Sequence, residues 1–97
     1  MGGEASGAER RREVYYSGRV QGVGFRYTAE RVASRFDVSG YVRNLRDGRV
    51  EVVAEGAASE LDGFLAELAG SMQRYIRDVQ MTDQPARGEF DGFEVRF

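Results

Sequence analysis

Apolar and polar positions first alternate with period two. Glu13-Val14-Tyr15-Tyr16-Ser17 predicts a strand with Val14 and Tyr16 on one face and Tyr15 and Ser17 on the other. The period then changes. Phe25, Ala29, Val32, Ala33 and Phe36 recur at helical spacing, with Glu30, Arg31, Ser34 and Arg35 largely off that stripe, so a helix is expected over about residues 25–36. Gly40 to Arg46 and Arg49 to Glu55 flank Asp47-Gly48, which predicts a β-hairpin closed by a type I′ turn. In its second strand Val50, Val52 and Ala54 alternate with Arg49, Glu51, Val53 and Glu55, so one face is expected to be buried, and Gly56 to end the strand. Glu30, Glu51 and Glu55 read as solvated.

A second apolar stripe follows in Leu61, Phe64, Leu65, Leu68 and Met72. Ser59-Glu60-Leu61-Asp62 reads as its capping box, with Asp in place of the usual Glu or Gln. Gly63 should cost this helix about 1 kcal/mol relative to Ala, and Gly70 should stop it. Val79 and Met81 predict another strand, with Ile76 packing just before it. Pro85 and Gly88 break the chain, and Phe93, Val95 and Phe97 alternate into a short closing strand.

The resulting order is β-α-β-β-α-β plus a short extra C-terminal strand. Two helices that each bury one stripe belong on the same face of an antiparallel sheet, giving a ferredoxin-like α+β sandwich. Residues 1–11 are Gly-, Ala- and Glu-rich without apolar periodicity and read as a disordered leader, leaving one domain over residues 12–97. Met1-Gly2 with Ser6 formally fits an acylation pattern, but so short a match favours the plain leader.

Composition narrows the chemistry. A formal charge of −2 gives no basic field for nucleic acid, and no apolar run approaches the roughly 20 residues of a membrane span. Cysteine and histidine are both absent, which removes disulfides, thiolate nucleophiles, His-based triads and most transition-metal sites. All 14 basic residues are arginine, so there is no Schiff-base lysine and no Walker-type phosphate lysine. What remains is carboxylates, hydroxyls, amides and guanidiniums.

The candidate chemistry lies in Gly18-Arg19-Val20-Gln21-Gly22-Val23-Gly24-Phe25-Arg26, between the first strand and the first helix. Glycines before a helix N-terminus suit a loop whose N–H groups turn toward an anion, and Arg26 in the first helical turn can close over it. The stretch is neither a Rossmann fingerprint, since Tyr27 replaces the required small residue, nor a P-loop. Taken only as glycines and an arginine, it fits a tight structural turn as well as an anion site. Asn44 taken alone reads as a residue leading into the hairpin turn, and Gln21 as either a loop-orienting or a solvent-facing side chain. Arg19, Arg43 and Arg46 read as surface charge, and Tyr41 as packing.

That stretch, followed by Gly40-Tyr41-Val42-Arg43-Asn44, Asp47-Gly48 and the closing Gly88-Glu89-Phe90-x-Gly92-Phe93-Glu94-Val95, resembles the acylphosphatase family from about Val14 to Phe97. The resemblance implies a metal-independent hydrolase of acyl phosphates, without cofactor, that releases a carboxylate and inorganic phosphate. It implies Arg26 as the phosphate-binding catalytic arginine and Asn44 as the residue that positions the attacking water. The backbone N–H groups of Val20, Gln21, Gly22, Val23, Gly24 and Phe25 would form the cradle. The expected partner is a small acyl phosphate, with phosphate as product and inhibitor. A monomeric cytoplasmic enzyme, with neither nucleic acid nor membrane as partner, is expected. The alternatives are a noncatalytic anion or nucleotide sensor on the same cradle, a nucleic-acid binder of the same fold, and a carbamoyl-phosphate-handling module.

Overall fold

The structure is a computed structural model that describes residues 9–97. The elements are β1 (Glu9–Gly18), α1 (Phe25–Ala33), β2 (Val38–Asn44), β3 (Val50–Ala57), α2 (Ala58–Met72), a 3₁₀ turn (Gln73–Tyr75), β4 (Ile76–Pro85) and β5 (Phe93–Arg96). The first strand therefore begins at Glu9. Glu9, Arg10 and Arg11, expected in the leader, belong to the sheet, and the rest of that expected segment lies outside the described residues. The strand runs on because Arg10, Arg11 and Arg12 each find carboxylate partners in the sheet or on α2, which a local apolar pattern does not encode.

The sheet has the order β4-β1-β3-β2-β5. Its first four strands pair antiparallel, whereas β5 joins the edge of β2 in parallel. The sheet is thus mixed, and the expected antiparallel arrangement holds for four of its five strands. A parallel partner needs a crossover. Here the chain leaves β4 at one edge and crosses the open face of the sheet over residues 86–92 to reach the other. Glu55 accepts hydrogen bonds from the N–H groups of Arg87 and Gly88 (2.9 Å each), and Gly40 N–H donates to the Gly92 carbonyl (2.9 Å).

Both helices pack on the opposite face. Val14, Tyr16, Val42, Val50, Val52 and Ala54 from the sheet meet Phe25, Ala29, Val32, Leu61, Phe64 and Leu68 from the helices in one buried core. Tyr16 lies 4.9 Å from Phe25 between ring centroids, and Phe64 lies 5.4 Å from Phe93. Helix α1 ends at Ala33, earlier than its apolar stripe suggests, because Arg35 and Phe36 N–H groups turn to the carbonyls three residues back. Phe36 still packs inward, and Gly63 lets it. A Cβ on Gly63 would stand 2.5 Å from the Phe36 ring, so this glycine sets the close approach of the two helices.

Several local expectations are corrected. The hairpin turn is not type I′, since Asp47 has a negative φ and only Gly48 is left-handed (φ 99°). Gly48 N–H donates to the Leu45 carbonyl and Leu45 N–H to that of Arg49, a three-residue loop with glycine at the bulge position. The capping box does not form. Ala57 is the N-cap of α2, without a side-chain cap, and the helix passes Gly70 to reach Met72. Glu60 instead accepts from Asp37 N–H (2.8 Å) and ties α2 to the start of β2. Every residue of β3 from Val50 to Gly56 is buried, Glu51 and Glu55 included, because the crossing segment and the Tyr15, Tyr41 and Arg43 side chains cover the open face. Val79 and Met81 lie in β4 as expected but are exposed on this edge strand, whereas Ile76 at its start packs against the core. Among the described residues no helix is long and apolar enough to cross a membrane.

Candidate active site

Strand β1 delivers the chain at Gly18, and α1 takes it up at Phe25. Between them the loop is anchored at both ends. Arg19 N–H donates to the Tyr75 carbonyl (2.9 Å), and the Val20 side chain is wholly buried in the core. Val23 also packs against the core, so the loop turns its backbone, not its apolar side chains, outward. That requires left-handed residues. Gly22 and Gly24 have φ of 77° and 81°, and Gly24 is the N-cap of α1.

Among the described residues, no backbone carbonyl accepts the N–H groups of residues 20–25. The first bond of the helix runs from Thr28 N–H to the Gly24 carbonyl (3.0 Å), leaving its first-turn donors free at the positive end of the helix dipole. Such a set of amides attracts an anion.

Gln21 fixes this loop to the hairpin. Its amide nitrogen donates to the carbonyls of Leu45 (2.7 Å) and Arg49 (3.0 Å), the two residues that bracket the turn after Asn44. Of the two readings of Gln21, the orienting one holds. The side chain spans the gap between the glycine loop and the end of β2, so the loop and Asn44 share one frame.

A cavity of about 170 Å³ lies between these elements, lined by Val20, Gly22, Gly24, Phe25, Arg26, Tyr27 and Asn44. It brings Arg26, at the start of α1, together with Asn44, at the end of β2. Gln21 and Val23 sit in the same loop but do not line it. Arg26 Nη1 donates to the Arg96 carbonyl (3.3 Å), and its guanidinium carbon stands 4.6 Å from the centre of the Phe97 ring. None of the ion pairs among the described residues includes Arg26. A guanidinium has five N–H donors. One weak bond to a carbonyl leaves most of them for an oxyanion.

The other arginines near this end are differently engaged. Arg43 Nε donates to Glu51 (2.7 Å), and Arg49 Nε donates to Asp47 (2.9 Å). Arg19 and Arg46 are exposed and do not line the cavity. Tyr41 packs edge-on against Phe90, with ring centres 5.9 Å apart.

Sequence reasoning missed two contributors. Tyr27 lines the cavity, and its signal was present: a large aromatic next to Arg26 but off the stripe that α1 buries. The Arg96 carbonyl that touches Arg26 comes from the far end of the chain, and no local pattern marks it.

The chain is similar to known proteins of one family. Residues 12–95 match the family model described as acylphosphatase. The acylphosphatase of Rubrobacter xylanophilus is 45% identical over 96 residues, spanning 98% of this chain and 87% of that protein. That of Archaeoglobus fulgidus is 42% identical over 86 residues, spanning 88% and 96%. The crystal structure of acylphosphatase from Bacillus subtilis aligns with a TM-score of 0.81 at 29% identity, covering 91% of this chain and 99% of that one.

Proposed function

The chain belongs to the acylphosphatase family, and from that premise we propose that Arg26, Asn44 and the backbone of residues 20–25 carry out the hydrolysis of acyl phosphates. The observation that carries this reading is the cavity. A cation without a carboxylate partner, a neutral amide and uncommitted N–H donors meet there.

An acyl phosphate is a mixed anhydride with a good leaving group, so catalysis asks for positioning and charge stabilisation more than for a strong base. The N–H groups of residues 20–25 and the Arg26 guanidinium hold the phosphoryl oxygens. The Arg26 guanidinium strengthens its hold as negative charge shifts onto those oxygens. The Asn44 amide, with both acceptor and donors, orients a water for in-line attack. The water oxygen forms the new bond to phosphorus. The bond from phosphorus to the acyl oxygen breaks, and its electron pair leaves with the carboxylate. The proton of the water passes to a phosphoryl oxygen, since no imidazole exists in the chain and no carboxylate lines the cavity. The reading includes neither metal ion nor phosphoenzyme. We take the enzyme to act as a monomer, and acyl phosphates as substrates suit a cytoplasmic one.

The test is hydrolysis of benzoyl phosphate in EDTA by the wild type and by Asn44→Ala. Rapid EDTA-resistant turnover, falling roughly 10²-fold or more in kcat for Asn44→Ala, is expected for loss of a group that acts in the transition state. Turnover that needs an added metal, or an Asn44→Ala enzyme of full activity, would overturn the mechanism. A folded wild type without turnover, yet stabilised against heat by inorganic phosphate, would make the cradle a binding module.

A further inference from the structure

The cradle accounts for the phosphoryl half of an acyl phosphate and leaves the acyl half without a described partner. The lining residues divide accordingly. Gly22, Gly24, Arg26 and Asn44 offer polar groups, while Val20 and Phe25 have their side chains in the core and present no apolar surface. Tyr27 differs from all of them, since it lines the cavity and is 64% exposed.

Its place in the helix explains the exposure. Tyr27 lies in the first turn of α1, off the buried stripe of Phe25, Ala29, Val32 and Ala33. Its ring therefore serves no core. The other large exposed apolar side chains are placed differently: Val79 and Met81 lie on β4 at the sheet edge remote from β2, and Phe97 is faced by the Arg26 guanidinium. An aromatic ring with one end apolar and the other carrying a hydroxyl suits a site whose mouth is wet and whose ligand is partly apolar.

We propose that Tyr27 is the contact for the acyl group and biases the enzyme toward aryl and other bulky apolar acyl phosphates over acetyl phosphate. The inference rests on the hydrolytic reading above. Phosphoryl oxygens held by the cradle direct the acyl substituent out of the cavity, past the residue that follows Arg26. An aryl group covers part of the Tyr27 ring there, whereas a methyl group covers little of it. Because the contact is the same in ground and transition states, it acts on KM and leaves kcat alone.

The test compares benzoyl phosphate and acetyl phosphate as substrates, and inorganic phosphate as inhibitor, for the wild type, Tyr27→Ala and Tyr27→Phe. Tyr27→Ala should raise KM for benzoyl phosphate roughly tenfold, as expected for removal of one apolar contact. Its kcat, its KM for acetyl phosphate and its inhibition by phosphate should stay near wild type, and Tyr27→Phe should restore benzoyl phosphate binding. An unchanged KM for benzoyl phosphate overturns the proposal. So does an equal rise for both substrates together with weaker phosphate inhibition, which would show Tyr27 shaping the cradle. A wild type that turns over neither substrate overturns the hydrolytic reading itself, an outcome distinct from active enzymes indifferent to residue 27.

Discussion

Arg11 and Arg26 are the same residue in opposite circumstances. Arg11 is 6% exposed on the open face of the sheet, and its guanidinium meets Glu13 (2.8 Å), Glu55 (2.9 Å) and Glu89 (2.7 Å), with the Phe90 ring 5.3 Å away. Burial works against its charge, but the three carboxylates outweigh that and hold its pKa above the ordinary value. Arg26 has one carbonyl at 3.3 Å. Arg11 has three carboxylate partners and joins β1, β3 and the crossing segment. Arg26 is underused by the protein and faces amides in the same condition. A cation's partners, more than its type, separate a structural clamp from a group kept for a ligand.

The comparison breaks most visibly if the two arginines are removed. Arg11→Met leaves Glu55 buried and without its main charge partner, a loss of about 3 kcal/mol, at the low end for a buried pair because Glu89 is half-exposed. Denaturant unfolding should show that loss while the folded fraction keeps its turnover. Arg26→Ala should do the reverse: kcat falling roughly 10²–10³-fold, with a melting temperature near that of the wild type. An Arg26→Ala protein that loses stability and keeps its activity would erase the distinction.

A smaller effect sharpens the picture of how the site is held. Gln21→Ala cuts the two bonds from the loop to the Leu45 and Arg49 carbonyls. The cradle and Asn44 then lose their common frame, and kcat should drop roughly tenfold with phosphate inhibition retained. Loss of phosphate inhibition with kcat unchanged would show that the loop, not its alignment with Asn44, depends on Gln21.

The smallest effect concerns Glu55. Burial pushes its carboxyl up, but the N–H groups of Arg87 and Gly88 and the Arg11 guanidinium more than offset this, and its pKa lies below the ordinary value of 4.5. The unfolded chain therefore binds the proton more readily than the folded one. The stability this gives is complete above pH 4.5 and is lost as pH falls through the lower folded value. Glu55→Gln should flatten that acid limb, read as the change in unfolding free energy between neutral pH and pH 3. An acid limb as steep as that of the wild type would place the titration elsewhere.

Much of the fold was legible because it is local. The stripes of Phe25–Phe36 and Leu61–Met72, the alternation around Val14 and the glycine loop each carry their own period, and together they give the two-helix, four-strand core. The loop of the candidate site was legible for the same reason: Gly22, Gly24 and Arg26 are neighbours in sequence. What escaped was set at long range. The parallel β5 and the burial of Glu55 follow from residues 86–92 crossing the open face, that of Glu51 from Tyr15, Tyr41 and Arg43, and alternation in β3 reads both glutamates as solvated. The turn at Asp47-Gly48 is chosen by the strand register, since the same dipeptide serves both loop types. At Ser59 the capping signal fails because β3 runs directly into α2, its last residue Ala57 serving as the N-cap.

The most direct measurement is hydrolysis of benzoyl phosphate in water enriched in oxygen-18, corrected for the uncatalysed reaction. The cradle, Arg26 and Asn44 all act on the phosphoryl end, so attack at phosphorus places one labelled oxygen in inorganic phosphate and none in benzoate. Label appearing in benzoate would mean attack at the acyl carbon, and the cradle, Arg26 and Asn44 would then have to be reassigned.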